Sequence, residues 1–102
     1  MAHVMNRLEL IIERMALSRA SNVLEDAGLT GFTVVSALAG FGRGQHWRRD
    51  GDLSAAQDMV VIISIGKADK TKAALDELHR LLENHIGVVS VSEVEVLRPD
   101  RF

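Results

Sequence analysis

Gly40-Phe41-Gly42-Arg43-Gly44-Gln45-His46-Trp47-Arg48-Arg49-Asp50-Gly51-Asp52 lies between two apolar runs, residues 32–39 and 59–65. Those thirteen residues hold four glycines, three arginines and the one tryptophan of the chain. No helix or strand period can be read from residue 40 to residue 58. An irregular connection this long inside a small domain is usually functional or disordered. Glycine lets a ligand approach the backbone, and arginine adds forked donors suited to phosphate or carboxylate. The stretch reads as a mobile anion-handling loop, about residues 43–57, on a rigid domain.

The halves on either side of it have the same pattern. Residues 4–13 alternate as a strand, with Leu8, Leu10 and Ile12 on one face and Arg7, Glu9 and Glu13 on the other. Residues 15–27 change to helical spacing through Leu17, Ala20, Val23, Leu24 and Ala27, and Gly28 supplies the stop. A second strand follows over residues 32–39. After the loop, residues 59–65 are apolar throughout, as in a strand covered on both faces. Gly66 ends that strand, Asp69 is the expected N-cap of a second helix to about Asn84, and Leu75, Leu78 and Leu82 mark its inner face. Gly87 opens the last strand, residues 88–97.

That last strand contains an anomaly. Val89 and Val91 share one parity, and Val94 and Val96 share the other. Side chains alternate along a strand. Either a bulge near Ser92-Glu93 resets the phase, or both faces are buried along the second half, which needs another subunit.

The order strand–helix–strand, loop, strand–helix–strand predicts one α+β domain spanning residues 1–102. The fold is a ferredoxin-like βαββαβ sandwich with a long loop between strands 2 and 3. Two helices cover one face of a four-stranded sheet. The other is expected to carry Ile11, Val35, Val60 and Ile62, an apolar surface that predicts association.

Composition removes several function classes. A chain of 102 residues with 47% hydrophobic and 25% charged residues has an ordinary globular balance. A net charge of −2 provides no basic field for nucleic acid. The middle strands also lack the aromatic residues that an RNA-binding sheet stacks on bases. There is no cysteine, and His79 and His85 are six apart, off the spacings that share a helix face, so no metal site is expected. No apolar run approaches membrane-spanning length and the start lacks a signal-peptide pattern, so a cytoplasmic protein is expected. No nucleophile elbow, triad or placed carboxylate pair indicates catalysis. The expectation is a sensor and not an enzyme.

Gly31-Phe32-Thr33-Val34, followed by Gly40-Phe41-Gly42-Arg43, resembles the PII signal-transduction family. In that family a glycine–apolar–Thr-Val segment starts the second strand, and Gly-Phe-Gly-Arg opens the long T-loop. The likeness extends over the order of elements, and is strongest to the PII-like branch linked to inorganic carbon and carboxysomes. It implies a homotrimer with an adenine nucleotide in each cleft between subunits. Thr33 and Val34 would approach the adenine, and Gly40, Phe41, Gly42 and Arg43 would lie under the phosphates. Gly87 and Val88 would form a reduced phosphate loop, with Arg98 and Arg101 near the family's C-terminal arginines. The branch also implies bicarbonate, held by Arg43, Gly44 and Gln45. A protein target would be met by Trp47, Arg48 and Arg49 on the T-loop, although those arginines read equally as a solvated tip and Trp47 as a lid.

The chain departs from the family's pattern in places. The loop has no tyrosine, which excludes uridylylation there. Asn84-His85-Ile86-Gly87-Val88 stands where nitrogen-type members have a Thr-Gly-Lys-rich phosphate loop, which favours ADP or AMP over ATP. Two other readings stay open: a trimeric metal-tolerance protein of the same architecture, or a trimeric scaffold without ligand.

Overall fold

A computed structural model describes residues 3–42 and 58–102 in full and residues 45–48 by their backbone. The strands are β1 (His3–Glu13), β2 (Thr33–Ser36), β3 (Ala39–Gly42), β4 (Gln45–Arg48), β5 (Met59–Gly66) and β6 (Gly87–Val96), and the helices are α1 (Leu17–Asp26) and α2 (Ala68–Leu82). Four strands form one antiparallel sheet in the order β2-β5-β1-β6. Both helices pack on the same face. This is the expected ferredoxin-like sandwich.

The core lies between that face and the helices. Leu8, Leu10 and Ile12 of β1, Val60 and Ile62 of β5, Ala20 and Leu24 of α1, and Ala74 and Leu78 of α2 are fully buried in one cluster. Each completely buried leucine, isoleucine or valine among them contributes about 1.5–3 kcal/mol. Ser64 shares the buried face, and its hydroxyl is satisfied by donating to the Gly31 carbonyl at 2.7 Å.

Register corrects the expected outer face. Val60 pairs with Ile12 and Ile62 with Leu10, so both point toward the helices, not away from them. The residues on the open face are the alternate set: Ile11 in β1, Val61, Ile63 and Ile65 in β5, Val35 in β2 and Val88 in β6. A strand apolar at every position gives no parity signal, and pairing alone decides which half is covered.

The phase change in β6 has no bulge. The pairing of β1 with β6 runs in one register from His3↔Val96 to Ile12↔Gly87. Val89 and Val91 lie opposite Leu10 and Leu8 on the helix side, and Val94 and Val96 on the other. Val96 is 8% exposed and Val94 half-buried within a single chain. Burial of Val96 therefore does not require a second subunit.

Three boundaries differ from expectation. The apolar run 32–39 leaves the sheet after Ser36. Ala37 still donates to the Met59 carbonyl at 3.0 Å, but Leu38 is largely exposed, and Ala39 begins a new strand. β3 pairs with β4 as a separate two-stranded ladder, Ala39↔Arg48 to Gly42↔Gln45, so residues 40–42 and 45–48 are not structureless. Ala39-Gly40-Phe41-Gly42 shows no alternation, which hid this hairpin. The rest of the loop expected at about 43–57 lies outside the described residues. Lastly, the N-cap of α2 is Lys67, and Asp69 sits in the first turn, where its charge complements the helix dipole.

The stop after α1 forms as expected. Gly28 has φ +93°, with Leu29 N–H bonded to the Leu24 carbonyl at 3.1 Å and Gly28 N–H to the Glu25 carbonyl at 3.0 Å. These two bonds are a Schellman closure, whose left-handed residue is normally glycine.

Candidate functional site

On the open face of the sheet, the departure of the chain from β2 into β3 creates a cleft of about 570 Å3. One wall is Gly40, Phe41 and Gly42, the opposite wall is Ile86, Gly87 and Val88, and Ile11, Met59 and Val61 form the floor. Five candidate residues named from the sequence, Gly40, Phe41, Gly42, Gly87 and Val88, thus surround one space within a single chain. The lining is apolar side chain and bare backbone. Such a surface suits a flat, weakly polar ring, with backbone amides at glycines for its polar edges.

Gly87 is required by crowding. A Cβ built on it would stand 2.6 Å from the Ile11 carbonyl oxygen and 2.8 Å from Leu82 Cδ2. The backbone of β6 approaches β1 this closely only without a side chain.

Thr33 and Arg101 meet at a second, smaller depression of about 380 Å3, with Phe32, Ile63 and Phe102. Thr30 Oγ1 donates to the Arg101 carbonyl at 3.2 Å, which fixes the C-terminal turn (Pro99–Arg101) against the start of β2. Val34 pairs with Ile62 and so points to the helix side, away from both clefts. Arg98 is exposed just before the turn. Gln45 and Trp47 are register partners of Gly42 and Gly40, and Arg48 of Ala39. Arg43, Gly44 and Arg49 lie outside the described residues.

A pair of residues at the end of β1, Glu13 and Arg14, carries no motif that singles it out in the sequence. Glu13 is 5% exposed and grips Ile86 twice. Its backbone N–H donates to the Ile86 carbonyl at 3.3 Å, and its Oε1 accepts the Ile86 N–H at 2.6 Å. His85 Nδ1 lies 3.6 Å from the same oxygen, and His85 Nε2 is buried without a hydrogen bond among the described residues. Arg14 reaches the other way. Its Nε donates to Asp58 Oδ2 and its Nη2 to Ser36 Oγ, both at 2.7 Å. Adjacent residues of opposite charge thereby fix the Ile86 wall of the cleft on one side and the two ends of the long loop, Ser36 and Asp58, on the other. An Asp that ends the loop and a Glu-Arg step that ends a strand are the available signals, but only the fold shows that they meet.

Among the described residues, no group of three His, Asp or Glu side chains could hold a metal ion. No described helix is long and apolar enough to cross a membrane.

Architecture and cleft define a small α+β protein of ferredoxin-like fold with a glycine-walled cleft where the inter-strand loop leaves the sheet. Residues 5–101 match the family described as nitrogen regulatory protein P-II, and the chain belongs to that family. No curated protein matches it in sequence. Among solved structures, it is similar to CPII, a nitrogen regulatory PII-like protein from Thiomonas intermedia K12. The form bound to ADP, AMP and bicarbonate aligns with a TM-score of 0.90 at 26% identity, covering 100% of this chain and 96% of that one. The form bound to ADP and bicarbonate aligns at 0.86 with 28% identity, covering 100% and 97%. The GlnK–ATP complex of B. subtilis shares the fold at 14% identity and a TM-score of 0.66, covering 92% and 84%.

Proposed function

We propose that this PII-family protein is a carbon-linked sensor of adenine nucleotide and bicarbonate. The observation that carries the reading is the cleft walled by Gly40, Phe41 and Gly42 on one side and Gly87 and Val88 on the other. Its likeness to CPII, a protein bound to ADP, AMP and bicarbonate, supports the choice of ligands. Adenine lies near Thr33, in the depression that Phe32 and Ile63 also line, and Arg43 takes the phosphate at the loop base. Arg98 and Arg101 belong with Thr33 on one side of the site, and the glycine walls of a neighbouring subunit complete it. Bicarbonate takes Arg43, Gly44 and Gln45.

The protein works as a homotrimer and performs no catalysis. Ile11, Val35, Val61, Ile63, Ile65 and Val88 form an apolar stripe beside the Arg7–Glu9 ion pair, with Val35 and Val88 at least half exposed in the single chain; an area of this kind favours association. Ligand shifts the loop that carries Trp47, Arg48 and Arg49 from an ensemble toward one shape, and this controls a protein target in inorganic-carbon metabolism. The setting is the cytoplasm, in association with carboxysomes.

Calorimetry with AMP, ADP and ATP, each with and without bicarbonate, tests the reading. Binding of ADP or AMP strengthened by bicarbonate is the expected result. Absence of any nucleotide binding leaves the ligand-free trimeric scaffold, and light scattering that returns a monomer mass at micromolar concentration rejects both.

A further inference from the structure

We infer that Glu13 is a specificity-determining residue: its carboxylate is a built-in anion that occupies the amide a ligand phosphate would otherwise take on the 84–87 side of the cleft. The inference rests on the nucleotide reading of the cleft and concerns which nucleotide fits.

Backbone N–H groups at a turn beside a cleft are the usual seat for a phosphate oxygen. Here the Ile86 N–H, on the wall that leads into Gly87, points to Glu13 Oε1 at 2.6 Å. Strand pairing does not require this bond. The β1–β6 ladder ends at Ile12↔Gly87, and the next position keeps only the Glu13 N–H to Ile86 carbonyl bond at 3.3 Å. The return bond goes to a side chain in place of the Glu13 carbonyl. By alternation, Glu13 shares the open face with Ile11, and its β5 partner is Met59, so floor residues flank it on both sides. His85 Nδ1, 3.6 Å away, supplies a partial counter-group to the same oxygen.

Two consequences follow for a bound nucleotide. The Ile86 amide is not available to it, and a buried negative charge stands behind that wall. A charge held at 5% exposure is weakly screened. Each added phosphate reaching toward residues 84–87 therefore meets repulsion and finds a donor missing. AMP and ADP, held from the Gly40–Gly42 side, avoid both penalties, and ATP does not.

The test compares wild type, Glu13→Gln and Glu13→Ala by calorimetry with AMP, ADP and ATP, and by amide NMR during titration with inorganic pyrophosphate. Glu13→Ala frees the Ile86 N–H and is expected to shift the ATP-to-AMP affinity ratio toward ATP by roughly tenfold or more, the effect of one charge-assisted hydrogen bond. Glu13→Gln keeps an acceptor and removes the charge, so it shifts the ratio the same way by less, and it serves if the alanine variant does not fold. The Ile86 and Gly87 amide signals are expected to move with pyrophosphate in the variants and to stay fixed in wild type. An unchanged ratio in both variants overturns the inference. If wild type binds no nucleotide, the sensor reading fails. The pyrophosphate titration then decides alone: equal responses from variants and wild type remove the role of Glu13.

Discussion

Arg14 and Asp58 are joined twice, by backbone and by side chain. The Arg14 N–H donates to the Asp58 carbonyl at 2.8 Å, and Arg14 Nε donates to Asp58 Oδ2 at 2.7 Å. The first bond continues the β1–β5 ladder by one residue past Glu13↔Met59. The second closes the stem of the long loop, because Arg14 Nη2 also holds Ser36 Oγ at the end of β2. Residues 36 and 58 are the two points between which the loop departs and returns.

Arg14→Ala is expected to destabilise the protein modestly. The two side chains are 37% and 30% exposed, so solvent weakens the pair, and about 1 kcal/mol is the expected loss. Urea unfolding of wild type, Arg14→Ala, Asp58→Ala and the double variant measures it. A coupling energy near zero would show that the Arg14–Asp58 side-chain pair adds nothing to the stem.

Gly87→Ala should be more damaging than its small change suggests. The new methyl meets a backbone oxygen, that of Ile11, which cannot rotate aside. Overpacking of this kind costs about 1–3 kcal/mol. Gly31→Ala, where a Cβ has nothing within 4 Å, is the control and should change stability little. Similar thermal midpoints for the two variants would contradict the crowding argument.

Ile62→Ala and Ile63→Ala test which face of β5 is covered. Ile62 is fully buried against the helices and Ile63 only partly buried on the open face. Truncating Ile62 should cost about 2–5 kcal/mol. The Ile63 change should cost less in chain stability but weaken self-association, which unfolding at several protein concentrations would separate.

These two neighbours also mark the limit of what can be read from a sequence. Where polar and apolar residues alternate, as at Leu8, Glu9 and Leu10, the residue pattern by itself identifies the inner face. Where every residue is apolar, as in β5, nothing in the chain distinguishes inner from outer, and the partner strand decides. The Gly28 stop is legible because left-handed backbone has a residue preference. The β3–β4 hairpin is not, because glycines at 40 and 42 carry no side-chain pattern. The site is half legible. Gly40, Phe41, Gly42, Gly87 and Val88 stand out because family likeness lies in backbone-permissive positions. Glu13, Arg14, Ser36 and Asp58 do not, because they act through contacts between residues 22 to 73 apart.

The binding site itself is best tested at Arg43, which follows directly on the glycine wall at Gly42. If its guanidinium takes a ligand phosphate, Arg43→Ala removes a charge-assisted contact worth roughly 1.5–3 kcal/mol. Affinity for ADP should fall on the order of tenfold to a hundredfold by the same principle. Circular dichroism should hardly change, because the core formed by the described residues lies between the sheet and the helices. Arg48→Ala is the matched comparison. It removes the same charge from β4, opposite Ala39 in register, and should weaken ADP far less if that arginine serves a protein target. A general electrostatic attraction would make the two losses similar and both strongly salt-dependent. Unequal losses that persist at high salt would assign the phosphate to Arg43, and equal ADP affinity in wild type and Arg43→Ala would remove it from the site.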